Sequence, residues 1–81
     1  MKENDSNYYL NAAQDYFLRG KYPEAIENYN KFIELEPDNW MPYNNCGIIY
    51  DRMKNYDEAI KYFTKAIELQ DNIFAFAPFA I

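Results

Sequence analysis

Apolar residues recur along the chain at the spacing of amphipathic helices. In residues 7–19 the spacings of 3, 1, 3 and 1 give one helical stripe: Tyr9, Ala12, Ala13, Tyr16 and Phe17. Gly20 follows as a helix stop. A second helix is predicted from Tyr22, because Pro23 suits a first turn, and Pro37 ends it. Its predicted buried stripe is Ala25, Ile26, Tyr29, Phe32, Ile33 and Leu35.

The second half of the chain repeats this pattern. Asn39 is a predicted N-cap, and Pro42 stands in the first turn of a third helix that ends near residues 52–54. Asp57 and Glu58 suit the positive N-terminus of a fourth helix, predicted to end at about Leu69. Four helices in sequence predict an all-α fold.

The two halves are copies of one unit. A shift of 34 residues places residues 6–39 over residues 40–73, and eleven of the 34 positions are then identical. The longest matches are 24–26 over 58–60 and 33–35 over 67–69. We therefore expect a single domain over residues 1–81. It contains repeat one at 6–39, repeat two at 40–73, and an apolar tail or truncated third helix at 74–81.

Both repeats carry aromatic and small residues at matching positions. Repeat one offers Tyr9, Ala12, Ala13, Tyr16, Ala25-x3-Tyr29 and Pro37. Repeat two offers Tyr43, Cys46, Gly47, Tyr50 and Ala59-x3-Phe63. The chain thereby resembles the tetratricopeptide repeat (TPR) family, with its pattern W-x2-L-G-x2-Y, A-x3-F and P over 34 residues. Phe32 departs from the family's usual small residue, and Asp71 stands where repeat one has Pro37.

The resemblance implies a right-handed superhelical stack of two antiparallel helix hairpins. Four small residues would let the helices of each hairpin approach closely: Ala13, Ala25, Gly47 and Ala59. The nine tyrosines and six phenylalanines are then interpreted mainly as packing between helices.

The family also implies a function, because its concave surface is lined by the first helix of each repeat. The positions implied here are Leu10, Asn11, Gln14, Leu18, Met41, Asn44, Asn45, Ile48 and Arg52. Amides both donate and accept hydrogen bonds, which suits an extended peptide backbone. The expected function is a non-enzymatic protein–protein interaction module that binds a peptide or helix. The alternative for any one position is an ordinary exposed residue in a chain with ten asparagines.

One TPR subclass resembles a carboxylate clamp for the acidic C-terminal tails of heat-shock chaperones, and it requires Lys and Arg as well as Asn. Asn45 matches the Asn of its second repeat. The other four clamp positions hold no cation: Leu10, Gln14, Ala75 and Phe79. With a net charge of −5, we expect a basic or apolar partner in preference to an acidic one.

Composition excludes several classes of chemistry. The 81 residues include no His, one Cys and two Gly, which excludes Ser–His and Cys–His pairs and leaves no phosphate loop. We expect no enzyme activity, no cofactor and no metal site. Thirteen acidic against eight basic residues disfavour nucleic acid. With no signal peptide or apolar span in the sequence, we expect a cytoplasmic location and no membrane partner.

The C-terminal segment suggests a second function. No charged residue follows Asp71, and the predicted self-association residues are Ile73, Phe74, Phe76, Phe79 and Ile81. An apolar patch on a small acidic domain favours a homo-oligomer, which could be domain-swapped. Three other possibilities remain at this point: the segment docks on the second hairpin, is disordered, or belongs to a helix that has been cut short.

Overall fold

The chain forms four consecutive helices. The computed structural model describes the backbone of residues 5–76 and the side chains of residues 5–71. The helices are α1 (Ser6–Leu18), α2 (Tyr22–Leu35), α3 (Trp40–Arg52) and α4 (Tyr56–Phe76), and residues 5–76 contain no strand. The predicted all-α class is confirmed. Within that described part, no helix is both long enough and apolar enough to cross a bilayer.

Helix α4 is longer than the sequence pattern predicted. It was expected to end at about Leu69 and continues to Phe76. In repeat one, Pro37 follows α2, and proline cannot continue a helix because it lacks the backbone N–H. Asp71 occupies the equivalent position in repeat two, so nothing in the backbone stops α4 there.

Both repeats use the same turn between their two helices. Gly20 (φ 76°) and Lys54 (φ 64°) are equivalent positions, and both adopt the left-handed conformation that ends a helix. The next residue then bonds back into the helix. Lys21 N–H donates to the Tyr16 carbonyl at 2.9 Å, and Asn55 N–H donates to the Tyr50 carbonyl at 2.8 Å. The short turns fold α1 back on α2 and α3 back on α4.

The first helix of each repeat also begins in the same way. A side-chain oxygen of Asp5 accepts the Asn7 N–H at 3.0 Å, and Oδ1 of Asn39 accepts the Met41 N–H at 3.0 Å. Each cap satisfies a backbone donor that the first helical turn leaves without a partner. The predicted Asn39 cap is confirmed.

The core lies between the two hairpins. Six residues of α1, α2 and α3 form one buried cluster: Ala13, Ala25, Ile26, Tyr29, Cys46 and Ile49. The four predicted small residues are all buried. Leu35 was wrongly placed in the buried stripe of α2, since it is 46% exposed. Its equivalent Leu69 is buried, so helix phase alone does not decide the burial of this position.

Gly47 marks a close approach of α3 to the Phe63 ring of α4. A Cβ at this position would lie 2.7 Å from Cδ1 and Cε1 of the Phe63 ring. We predict that Gly47→Ala lowers the free energy of unfolding by about 1 kcal/mol in urea titrations. Overpacking of about 1–3 kcal/mol exceeds the helix-propensity gain of about 1 kcal/mol.

The control is the same substitution in a Phe63→Leu background, where the ring no longer opposes the methyl group. There Gly47→Ala is expected to be neutral or stabilising. An equal loss of stability in both backgrounds would contradict the proposed contact.

Candidate functional site

The predicted groove residues lie on the two helices expected to carry them. Leu10, Asn11, Gln14 and Leu18 are on α1, and the other five are on α3. Four of the nine are exposed: Asn11, Gln14, Leu18 and Arg52. The remaining five are half-buried: Leu10, Met41, Asn44, Asn45 and Ile48. The structure therefore gives these positions different roles.

Asn45 contributes to the contact between α3 and α2. Its Nδ2 donates to the Tyr29 hydroxyl at 3.2 Å and so joins α3 to α2. Burial raises the pKa of the Tyr29 hydroxyl, and the hydrogen bond from Asn45 opposes that shift. Asn45 was predicted only as a groove residue, because a hydrogen bond between residues 16 apart leaves no local pattern.

Arg52 is the cation of the predicted groove, and it is held by an aromatic ring. Its guanidinium carbon lies 5.2 Å from the centroid of the Phe17 ring, so the end of α3 meets the end of α1. Such an arrangement is worth about 0.5–1 kcal/mol at an exposed site. The contact fixes the position of the charge at this edge of the surface.

The other groove positions combine free amides with apolar surface. The side chains of Asn11 and Gln14 are exposed, three residues apart on α1, and make no hydrogen bond within the described part of the chain. Leu10 packs against the buried cluster, whereas Leu18 is 82% exposed. This arrangement offers hydrogen-bonding groups beside apolar contact area.

A cavity of about 330 Å³ lies elsewhere, between α2, α3 and α4. None of the nine predicted residues lines it; its walls are Asn30, Ile33, Tyr43, Glu58, Lys61, Tyr62 and Lys65. The Tyr62 hydroxyl donates to Oδ1 of Asn30 at 3.0 Å, and Lys61 pairs with Glu58 at 3.3 Å. Sequence reasoning did not predict Tyr62 as a site residue. The signal that could have identified it is the difference between the repeats, because repeat one has Asn28 at the equivalent position.

The single cysteine lies in the core of the fold. Cys46 is fully buried, and burial raises the pKa of its thiol from 9.0 to about 12. Between residues 5 and 71, no three carboxylate or thiol groups are arranged to hold a metal ion.

The predicted self-association residues lie outside the described side chains. Ile73, Phe74 and Phe76 are in the backbone of α4, whereas Phe79 and Ile81 are beyond the described residues. Their role stays a prediction.

Comparisons with known proteins support a repeat fold. The family profile described as TPR repeat matches residues 13–54, and the profile described as Tetratricopeptide repeat matches residues 41–73. Two solved structures of MamA superpose with TM-scores of 0.85 and 0.86 at 28% and 30% identity. They cover 96% and 89% of this chain and 43% and 42% of the MamA chains.

Curated relatives match over much of this chain. Human serine/threonine-protein phosphatase 5 is 42% identical over 57 residues, which is 70% of this chain and 11% of the phosphatase. Hsp70-Hsp90 organizing protein 2 of Arabidopsis thaliana is 34% identical over 68 residues, 84% of this chain and 12% of that protein. The chain thus spans about a tenth of these relatives, and the phosphatase activity of the first does not transfer to it.

The buried thiol generates a prediction about reactivity. Labelling of Cys46 by a disulfide reagent near pH 8 should be at least about a hundredfold slower in the native chain than in urea, because the folded thiol is buried and protonated. The unfolded thiol ionises from about pH 9 and the native one only towards pH 12, so the unfolded state binds fewer protons in this range. Stability should therefore fall as pH rises above about 9. Equal labelling rates in both states would refute the burial of Cys46.

Proposed function

Because the chain belongs to the tetratricopeptide repeat family, whose repeats are non-catalytic protein-interaction modules, we propose that it holds a peptide or helix of a partner protein on α1 and α3. The observation that carries the proposal is the pair of exposed amides of Asn11 and Gln14, which form no hydrogen bond with any residue that the structure describes. Both point from one side of α1, where they can pair with a peptide backbone. Leu18 and the half-buried Met41 and Ile48 offer contact area for apolar side chains.

The charge of the partner follows from the same residues. The protein carries a net charge of −5, and Arg52, the cation among the nine positions, already lies over Phe17. A basic or apolar peptide is favoured over an acidic one. The relatives include a protein named for organising Hsp70 and Hsp90. This chain lacks Lys and Arg at the clamp positions Leu10 and Gln14, so we propose that it does not take an acidic tail.

We also propose where the protein acts and which macromolecules it does not bind. The single thiol suits a reducing compartment, and we propose a cytoplasmic location. An acidic chain without a cluster of Lys and Arg is proposed to bind neither nucleic acid nor an anionic membrane surface.

The test of the groove uses panels of fifteen-residue peptides that are basic, neutral and apolar, or acidic. We predict that the basic or apolar panel binds, and that Asn11→Ala with Gln14→Ala weakens that binding about tenfold in calorimetric titrations. Each lost hydrogen bond is worth about 0.5–1.5 kcal/mol.

Asn28→Ala is the matched control, because Asn28 also carries an amide but lies on α2 and bonds within its own helix. Equal weakening by the control, or selective binding of the acidic panel, would refute the proposed groove.

A second candidate function is self-assembly through the C-terminal segment, and the observation that favours it is a run without charge after Asp71. We predict a homo-oligomer in sedimentation equilibrium that becomes a folded monomer when residues 74–81 are removed. Burial of apolar side chains, each worth about 2 kcal/mol, would drive the association. A monomer at high concentration with the segment present would exclude this function.

A further inference from the structure

The cavity between α2, α3 and α4 has no part in the proposed groove. Asn30 and Ile33 of α2 and Tyr43 of α3 form one side of it, and four residues of α4 form the other. Both repeats therefore contribute walls, and the cavity lies where the two hairpins meet. Its volume of about 330 Å³ is near the lower limit of small-molecule sites, which is about 300 Å³.

The walls of the cavity are largely aromatic and aliphatic. The ring centroids of Tyr43 and Tyr62 lie 6.3 Å apart, and the two rings are inclined by 40°. These rings touch each other, so a ligand would lie against the pair and not between them. Burial raises the pKa of both hydroxyls, so both rings are neutral near pH 7. With the half-buried Ile33 beside them, they suit a flat apolar group.

The polar atoms of the cavity offer mainly hydrogen-bond donors. Oδ1 of Asn30 accepts the Tyr62 hydroxyl at 3.0 Å, whereas Nδ2 of Asn30 bonds to no residue that the structure describes. The Tyr43 hydroxyl donates to the Pro37 carbonyl at 3.3 Å. The lysine ammonium groups of the lining can only donate. A ligand that brings acceptors is therefore favoured.

The charges of the cavity favour an anion. Its charged lining residues are Glu58, Lys61 and Lys65, which leave one positive charge in excess on a chain of net charge −5. Lys61 pairs with Glu58 at 3.3 Å. Lys65 is exposed and forms no ion pair with any side chain that the structure describes. Its ammonium group can therefore meet a carboxylate without breaking an existing pair.

Repeat one lacks two of these features. Glu27 stands at the position of Lys61, and Asn28 stands at the position of Tyr62. The Asn28 amide donates to the Glu24 carbonyl within its own helix at 2.9 Å. Helix α2 forms with these residues, so a helix of this repeat does not require a cation and an aromatic ring at the two positions.

We propose that the cavity binds a small aromatic carboxylate, with its ring against Tyr43 and Tyr62 and its carboxylate paired with Lys65. Nδ2 of Asn30 provides a further donor, and Lys61 offsets the charge of Glu58. A phosphate ion or an aliphatic carboxylate would satisfy the charge but leave the apolar walls in water. This site goes beyond the proposed peptide groove, because none of the nine groove residues lines it.

The probe is naphthoate, titrated into the isotope-labelled full chain and followed by two-dimensional NMR. We expect saturable shifts at the Asn30 side-chain amide with a Kd of about 0.1–1 mM, as for a ligand of this size. Naphthylmethanol is the matched neutral compound and should bind at least about threefold more weakly at the same ionic strength. Acetate should give no saturable shifts over this range, because it lacks the ring.

Charge variants test the assignment of the carboxylate. Lys65→Gln should weaken naphthoate by about two- to fivefold. Lys61→Glu, which introduces the residue of repeat one, should weaken it at least as much, because it adds a second carboxylate beside Glu58. The matched control is Lys31→Gln, at the position equivalent to Lys65, where Lys31 lies 6.0 Å from the Tyr9 ring centroid. It should leave the affinity unchanged.

Two further measurements separate this site from the groove and from unfolding. Asn11→Ala with Gln14→Ala should not alter naphthoate binding, and the dispersion of the amide signals confirms that each variant is folded. Four results would overturn the proposal. They are no saturable shift, equal affinity for the alcohol, shifts centred on α1, and a Lys65 variant that binds as well as the Lys31 variant.

Discussion

The structure depends on the packing of α3 against α2. Each hairpin makes mostly local contacts, and Ile26 and Tyr29 of α2 lie with Cys46 and Ile49 of α3 in the buried cluster that joins the two hairpins. The effect of this packing is seen by comparing equivalent positions of the two repeats. Ile26 on α2 is 8% exposed, whereas Ile60 on α4 is 63% exposed. Covering an isoleucine in this way contributes about 1–2 kcal/mol. Because the same interface places α3 beside α1, it also sets the relative positions of the proposed groove residues on these two helices.

The features that the sequence predicted well are those encoded locally or by repetition. The Asn39 cap depends on a donor two residues away, and the tight approach at Gly47 follows from the absence of a side chain. The identical positions at a period of 34 residues indicated the pairing of helices, since each unit must solve the same packing problem. Helices α1, α2 and α3 therefore begin and end within one or two residues of their predicted limits.

The features that were missed depend on neighbours rather than on local pattern. Leu35 and Leu69 are the same residue at the same phase, yet one is exposed and the other buried. The cavity beside Tyr62 is lined by residues of three helices, so no single stretch of the sequence predicts it. The extent of α4 is a different case, because it follows from Asp71 standing where repeat one has Pro37, whereas the apolar pattern alone predicted an end at about Leu69. The absence of a proline that would end the helix therefore favours a longer helix.

Asn11 and Asn45 show how far a repeat can transfer a role from one position to its equivalent. They are identical residues at equivalent positions, and each precedes a small residue on its helix. Asn45 bonds to Tyr29, which belongs to the preceding hairpin. Asn11 lies on the first described hairpin, so the equivalent acceptor is absent from the described residues and its amide stays exposed. The position in the stack, and not the residue type, therefore decides which of the two asparagines bonds to a neighbouring hairpin.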